Sequence, residues 1–266
     1  MINKLKITKK LSIAAALILA SCTGLFAQGG SNYSIMGFGD IDKPAFSAYQ
    51  GLAGTAIAIP LEKGINTTNP AMMGFNSTTR LLFGYNFNQH LNESGDNVLY
   101  QNNGQLSGLS ALFAIDSSMG LSLAVGITSN SKMNYLITNK FASTVDNTTL
   151  TGSHTFQGKG GISTANIAAS FRPLNHLYVG AQGFMNFGST TKYAHTEFDG
   201  ALADGYMVTT DDQFDGGGFR LGAYYNGIEN LGIGFFYEKQ GEMDIDRTLA
   251  YDSPAGTDTT LSSSLK

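Results

Sequence analysis

The stretch Leu121-Ser122-Leu123-Ala124-Val125-Gly126-Ile127-Thr128 alternates large apolar residues with small or polar ones, and the pattern returns twice more along the chain. Leu177-Tyr178-Val179-Gly180-Ala181-Gln182-Gly183-Phe184 is the second copy and Leu231-Gly232-Ile233-Gly234-Phe235-Phe236-Tyr237 the third. Each copy follows a short polar turn, at 116–120, 172–176 and 226–230, and each turn follows another alternating run, at 105–115, 161–171 and 217–225. A period of two places successive side chains on opposite faces of a strand. Three such hairpins and a lone strand near 79–89 predict an antiparallel meander of about seven strands, with an eighth beginning before Lys266.

Composition agrees with strands. The 17 Phe, 12 Tyr and 33 Gly suit pleated surfaces with close backbone approaches better than helices. Beyond the first 20 residues, no apolar run approaches the roughly 20 residues of a membrane-spanning helix, so any crossing uses strands. The segments 90–104, 140–158, 190–215 and 241–258 are rich in Asn, Thr, Ser and Asp and hold or adjoin fourteen of the 20 acidic residues. They read as long wet loops opposite the short turns, which is the asymmetry of an outer-membrane barrel. A soluble β-sandwich also alternates, but the loop asymmetry and the low charge of the strands favour the membrane. The expected fold is therefore all-β, an antiparallel transmembrane β-barrel in contact with outer-membrane lipid. In this register the odd residues Leu121, Leu123, Val125 and Ile127 face lipid, and the even residues Ser122, Ala124, Gly126 and Thr128 face the lumen. Arginine at 123 is expected to disturb assembly more than arginine at 124.

The chain opens with Lys4, Lys6, Lys9 and Lys10, an apolar run at 11–20, and then small residues. This is the pattern of a secretory leader, assigned to residues 1–27. Two processing readings stand: cleavage after Ala27, or a lipobox at Leu19-Ala20-Ser21-Cys22 with lipid attached to Cys22. Cys22 is the only cysteine, so no intrachain disulfide forms. Removing the four leader lysines takes the formal charge from −4 to −8, which argues against nucleic-acid binding.

Residues 28–76 lie between the leader and the barrel, assigned to 77–266. Within them, 51–59 is almost wholly small or aliphatic, and Asn66-Thr67-Thr68-Asn69 runs into Pro70-Ala71. Small side chains allow close approach to a Gly-rich wall, so the segment is expected to pack as a plug inside the barrel, with Gly51, Gly54, Ala56 and Ala58 against the wall. Asn69-Pro70 favours a turn, because the residue before proline is pushed out of the α region.

Gly51-Leu52-Ala53-Gly54-Thr55-Ala56-Ile57-Ala58, followed by Asn69-Pro70-Ala71, resembles the N-terminal region of the FadL/TodX family of outer-membrane transporters for hydrophobic compounds. Tyr33-Ser34-Ile35-Met36-Gly37-Phe38-Gly39-Asp40 is similar to its Bacteroidetes branch. The likeness covers mainly residues 33–90. It implies a 14-stranded barrel with an N-terminal hatch, whose gate would map to Asn69, Pro70 and Ala71. The same three residues also read as a plain turn leading into the first strand. With seven or eight strands, the chain is expected to be the N-terminal part of a longer barrel; a closed eight-stranded barrel is the alternative, and its narrow lumen suits a plug poorly.

No residue pattern selects catalysis. His90, His154, His176 and His195 are scattered and lack ligand spacing. Gly158-Lys159-Gly160-Gly161 lacks the strand–loop–helix setting of a phosphate loop. Asp211, Asp212 and Asp215, and Glu242, Asp244 and Asp246, read as solvated acidic loops rather than calcium sites. The expected function is passive uptake of hydrophobic small molecules such as long-chain fatty acids, by a monomer without enzyme activity, cofactor or metal. The alternative is a FadL-like shuttle or assembly component of the type IX secretion system that binds protein cargo; a structural barrel anchoring the envelope is a further one.

Overall fold

The computed structural model describes residues 31–42, 49, 51–61, 64–94, 97–145, 148–200, 205–253 and 259–265. The leader and Cys22 lie outside them. Among the described residues nine strands form one antiparallel sheet: β1 (Asp40–Ile41), β2 (Arg80–Ser94), β3 (Asn97–Asp116), β4 (Leu121–Val145), β5 (Thr148–Leu174), β6 (Leu177–Phe198), β7 (Tyr206–Ile228), β8 (Leu231–Asp252) and β9 (Thr259–Leu265). Strands β2 to β9 lie side by side in chain order. The meander expected from the alternation is present, and the sheet is not closed: among the described residues β2 and β9 each have a single neighbour.

The short turns are where the sequence places them. At 116–120, the Asp116 carboxylate accepts hydrogen bonds from the Ser118 hydroxyl at 2.6 Å and from the Ser118 and Met119 amides at 2.8 and 3.2 Å. These donors stabilise the ionised form and hold the carboxyl below its ordinary range.

Most described residues of the long wet segments are strand, not loop; residues 95–96, 146–147, 201–204 and 254–258 lie outside the described residues. Residues 121–145 and 148–174 form strands of 25 and 27 residues that stay in register from Ser131↔Ile162 to Val145↔Thr148. The remaining polar segments likewise extend β2, β3 and β6 to β8, rather than ending strands at about ten residues. A Thr- or Asn-rich strand has the same backbone donors and acceptors as an apolar one, and it pairs wherever its neighbour continues. At about 3.3 Å per residue these strands reach roughly 80–90 Å, far more than the ~25 Å apolar band of an outer-membrane barrel.

The two faces divide by parity near the turns. Leu123, Val125 and Ile127 are 42–53% exposed, while Ser122, Ala124 and Thr128 are at most 4% exposed. Leu81, Phe83 and Phe87 on β2, Phe113 on β3, Ile167 on β5, Leu221 on β7 and Phe235 on β8 continue the exposed apolar side. Residues 121–127 make a band of roughly 20 Å along the strand, close to the height expected for a membrane face.

The even face is covered. Residues 64–76 lie over it, and two apolar clusters fill the space between. One joins Ile65 and Met73 to Leu112, Ala124 and Ala168; the other joins Ala71 and Met72 to Tyr178 and Tyr224. Ala124 is thus beneath a packed layer, not in open lumen. Arginine there is expected to be no better tolerated than at Leu123, because it would have to displace Ile65 and Met73.

The sheet forks between β3 and β4. These strands pair from Asp116↔Leu121 to Gly108↔Thr128 and no further, although β3 continues against β2 to Asn97 and β4 continues against β5 to Val145. A bulge between Ser129 and Ser131 accompanies the separation. In the fork β1 pairs with β4, Asp40↔Lys132 and Ile41↔Ser131. Gly39 has φ +93°, and a Cβ there would lie 2.2 Å from the Lys132 carbonyl oxygen. Only glycine admits both this backbone conformation and this approach.

Candidate functional site

The segment that covers the even face is held by three buried asparagines. Asn66 donates to the Ala56 carbonyl at 2.6 Å and accepts from the amides of Thr68 and Asn69, each at 2.9 Å. Asn69 donates to the Ile57 carbonyl at 2.8 Å and to the Ala223 carbonyl of β7 at 3.2 Å, and accepts from the Ala71 amide at 3.1 Å. Asn76 donates to the Gly64 and Met73 carbonyls at 3.3 Å and accepts from the Arg80 Nε at 3.2 Å. All three are at most 1% exposed. A primary amide has two donors and an acceptor on one short stem, so it can tie separate backbone stretches together in a buried place.

Asn69 and Pro70 form the local corner. Asn69 caps a 3-10 helix, Pro70–Phe75, with extended backbone (φ −117°, ψ 103°), and Pro70 stands at its first positions. Proline lacks the amide hydrogen that would be orphaned there, and its fixed φ suits the helix start.

The sheet receives this corner on glycines. A Cβ on Gly180 would lie 2.5 Å from the Pro70 carbonyl carbon and 2.6 Å from the Ala71 nitrogen. Gly222, paired with Gly180, would bring one to 2.1 Å from the Asn69 Oδ1. Gly180→Ala is expected to lift the corner off the sheet at a cost of about 1–3 kcal/mol, since the obstructing atoms are backbone. Limited proteolysis at 49–61 measures it: faster cleavage with the same sheet content is the expected result, and an unchanged rate would mean that the corner does not rest on Gly180.

The expected plug residues divide. Ala56 is 3% exposed, Asn69 and Ala71 are fully buried, Pro70 is buried, and Ala58 packs beside Tyr178 and Tyr224. Gly51 is exposed and Gly54 half-buried. Residues 51–54 form a turn, exposed at 51–53, with positive φ at Ala53 (56°) and Gly54 (77°) and the Gly54 amide bonded to the Tyr49 carbonyl at 2.8 Å. Ala53 and Gly54 serve chain reversal there.

Beside the segment is a polar chamber of about 130 Å³. Thr128, Asn130, Thr164, Asn166, Gln182, Asn186 and Gln240 line it with neutral donors and acceptors, together with Thr67 and Phe184. Its charges are a pair: Arg220 meets Glu238 at 2.6 Å. The Arg220 guanidinium also donates to the Thr67 carbonyl and, at 3.2 Å, to Gln182, so it links β6, β7 and β8 to the covering segment. The room suffices for a few waters or a small polar solute.

The remaining candidates stay apart. His154 stacks on Phe141 and bonds Thr196 at 2.9 Å, while His176 lies in a turn with φ 70°. His195 is 3.7 Å from Glu197, and His90 lies on β2. Gly158 to Gly161 lie within β5. The acidic groups at 211–215 and 242–246 are on strands β7 and β8, not loops, and Asp212 is buried in an ion pair with Arg247 at 2.6 Å. Among the described residues no group of three His, Cys, Asp or Glu is placed to hold a metal ion.

A family model described as BamG matches residues 7–252. No curated protein and no solved structure matches the chain.

Proposed function

Because the chain belongs to the BamG family, we propose that it serves outer-membrane biogenesis as an outer-membrane β-sheet protein associated with the BAM complex. The family match over nearly the whole chain carries this reading. The two-faced sheet supports the membrane part: an exposed apolar side at Leu123, Val125 and Ile127, and an opposite side covered by the chain's own segment. In this reading β2 to β9 are part of a closed barrel, of fourteen strands if the FadL/TodX resemblance extends to its full size, and residues 56–76 are its hatch. The direct test is affinity capture of the tagged, full-length protein from mild-detergent extracts, with measurement of outer-membrane protein levels after depletion. The expected result is co-purification of BAM components and a general fall in newly assembled barrel proteins. Normal assembly after depletion would overturn the reading, and capture of secreted cargo instead would favour the type IX shuttle.

The second reading is solute uptake, and the segment docked across the even face favours it. The chamber beside that segment is lined by amides and hydroxyls, so a passage there suits polar solutes better than fatty acids. Ala56→Trp tests it, because Ala56 is buried and its carbonyl takes the Asn66 amide. The variant is expected to displace the segment and raise entry of a small hydrophilic dye at normal surface levels of the protein. Unchanged entry would remove the gate from this reading.

A further inference from the structure

The fork between β3 and β4 leaves a row of backbone groups whose direction can be read. The Lys132 carbonyl faces Gly39, the Asn134 amide donates to the Ser34 hydroxyl at 3.2 Å, and the Asn130 carbonyl accepts from the Asp42 amide at 2.8 Å. Even residues of this part of β4 therefore turn their backbone groups away from β5. The register with β5 is unbroken from Ser131 to Val145, so the parity continues through Leu136, Thr138, Lys140, Ala142 and Thr144. Among the described residues no strand pairs with these five positions on that side.

We propose that this edge of β4 binds an extended segment of another polypeptide by antiparallel strand addition, continuing the line that β1 begins. Three observations fix the kind of partner. The edge already accepts a strand, since β1 pairs at Lys132 and Ser131. Among the described residues the fork keeps β3 off it, and the stretch 136–144 lies beyond Ser34, which takes the Asn134 amide, between two strands that are hydrogen-bonded neighbours nearer the turn. The side chains set the chemistry: Ile137 and Phe141 lie on one side, and Thr138 and Lys140 on the other. The partner that fits is an amphipathic strand, with β-branched or aromatic residues toward Ile137 and Phe141 and an acidic residue toward Lys140. That is the same period-two pattern this chain uses in its own strands.

The probe is a synthetic nine-residue peptide alternating Val or Phe with Thr or Glu, and its scrambled isomer of equal composition. Binding to the full-length protein in detergent is read by fluorescence anisotropy. Thr138→Pro removes one outward amide without touching a β4–β5 backbone hydrogen bond, because proline lacks only its own donor; it also loses the 3.2 Å hydroxyl contact with Thr155 on β5, which Thr138→Ser retains. It is expected to weaken binding about tenfold or more, the effect of losing a strand hydrogen bond and fouling its neighbours, while Thr138→Ser leaves binding unchanged. Should Thr138→Pro misfold, a photo-crosslinking residue at Lys140 replaces it, and capture of the alternating peptide but not the scrambled one is expected. Equal binding of the two peptides, no binding of either, or binding indifferent to Thr138→Pro in a folded protein would overturn the proposal.

Discussion

Leu123→Arg is expected to cost roughly 2–4 kcal/mol of assembly stability, the depth-dependent cost of arginine on the lipid face of a barrel near the midplane. Leu123 is 42% exposed and flanked by Val125, Ile127 and Ile167, all exposed. In a water-soluble sheet, the same replacement at an exposed position would change stability by about 0.5 kcal/mol or less. The substitution thus separates two environments for one exposed side chain. Folding into phospholipid vesicles, followed by denaturant titration, gives the number. A near-zero change would place this face in water and leave the membrane reading without support.

Asn69→Ala is the second large effect. It removes the acceptor that caps the Pro70–Phe75 helix and both donors, taking one partner from the Ile57 carbonyl and the second, side-chain partner from the strand-paired Ala223 carbonyl, in a site with no exposure. The cap contributes about 1 kcal/mol, and each hydrogen bond roughly 0.5–1.5 kcal/mol. Together the loss is expected at about 2–4 kcal/mol of docking for the covering segment. Asn69→Asp keeps the shape and the acceptor but not the donors, and it buries a charge against two carbonyl oxygens. It is expected to be at least as harmful. Thermal melts read against proteolysis of residues 49–61 report both variants, and an aspartate variant as stable as the parent would show that the amide donors hold nothing.

The turns, the strand order and the two faces near the turns were legible in the sequence, because one side of each strand is apolar and the other is not. Leu121 to Thr128 shows it most plainly. The outer halves of the same strands were not legible. From 138 to 145 and 148 to 155 the residues are mostly Thr, Ser, Asn, Lys and His, so alternation has no apolar phase to reveal it, and polar composition was mistaken for loop. Backbone pairing with a neighbouring strand leaves no mark on side-chain pattern.

At the candidate site, Asn69, Pro70 and Ala71 were readable from turn chemistry, but Asn66, Asn76 and the Arg220–Glu238 pair were passed over. Arg220 had a signal: a cation at an even, covered position of an alternating strand requires a partner. Gly54 shows why small residues are ambiguous: they serve equally for close packing and for positive φ, and the fold gives Gly54 a φ of 77°.

The most direct test of the account is a scan of single cysteines at residues 122 to 128 in the full-length protein reconstituted in lipid vesicles. Each carries a fluorescent label read with a lipid-soluble and a water-soluble quencher. The account predicts that labels at 123, 125 and 127 respond to the lipid-soluble quencher alone, while 122, 124 and 128 are shielded from it by the sheet and the segment over it. Quenching of the odd positions from water, or of Ala124 from lipid, would contradict it.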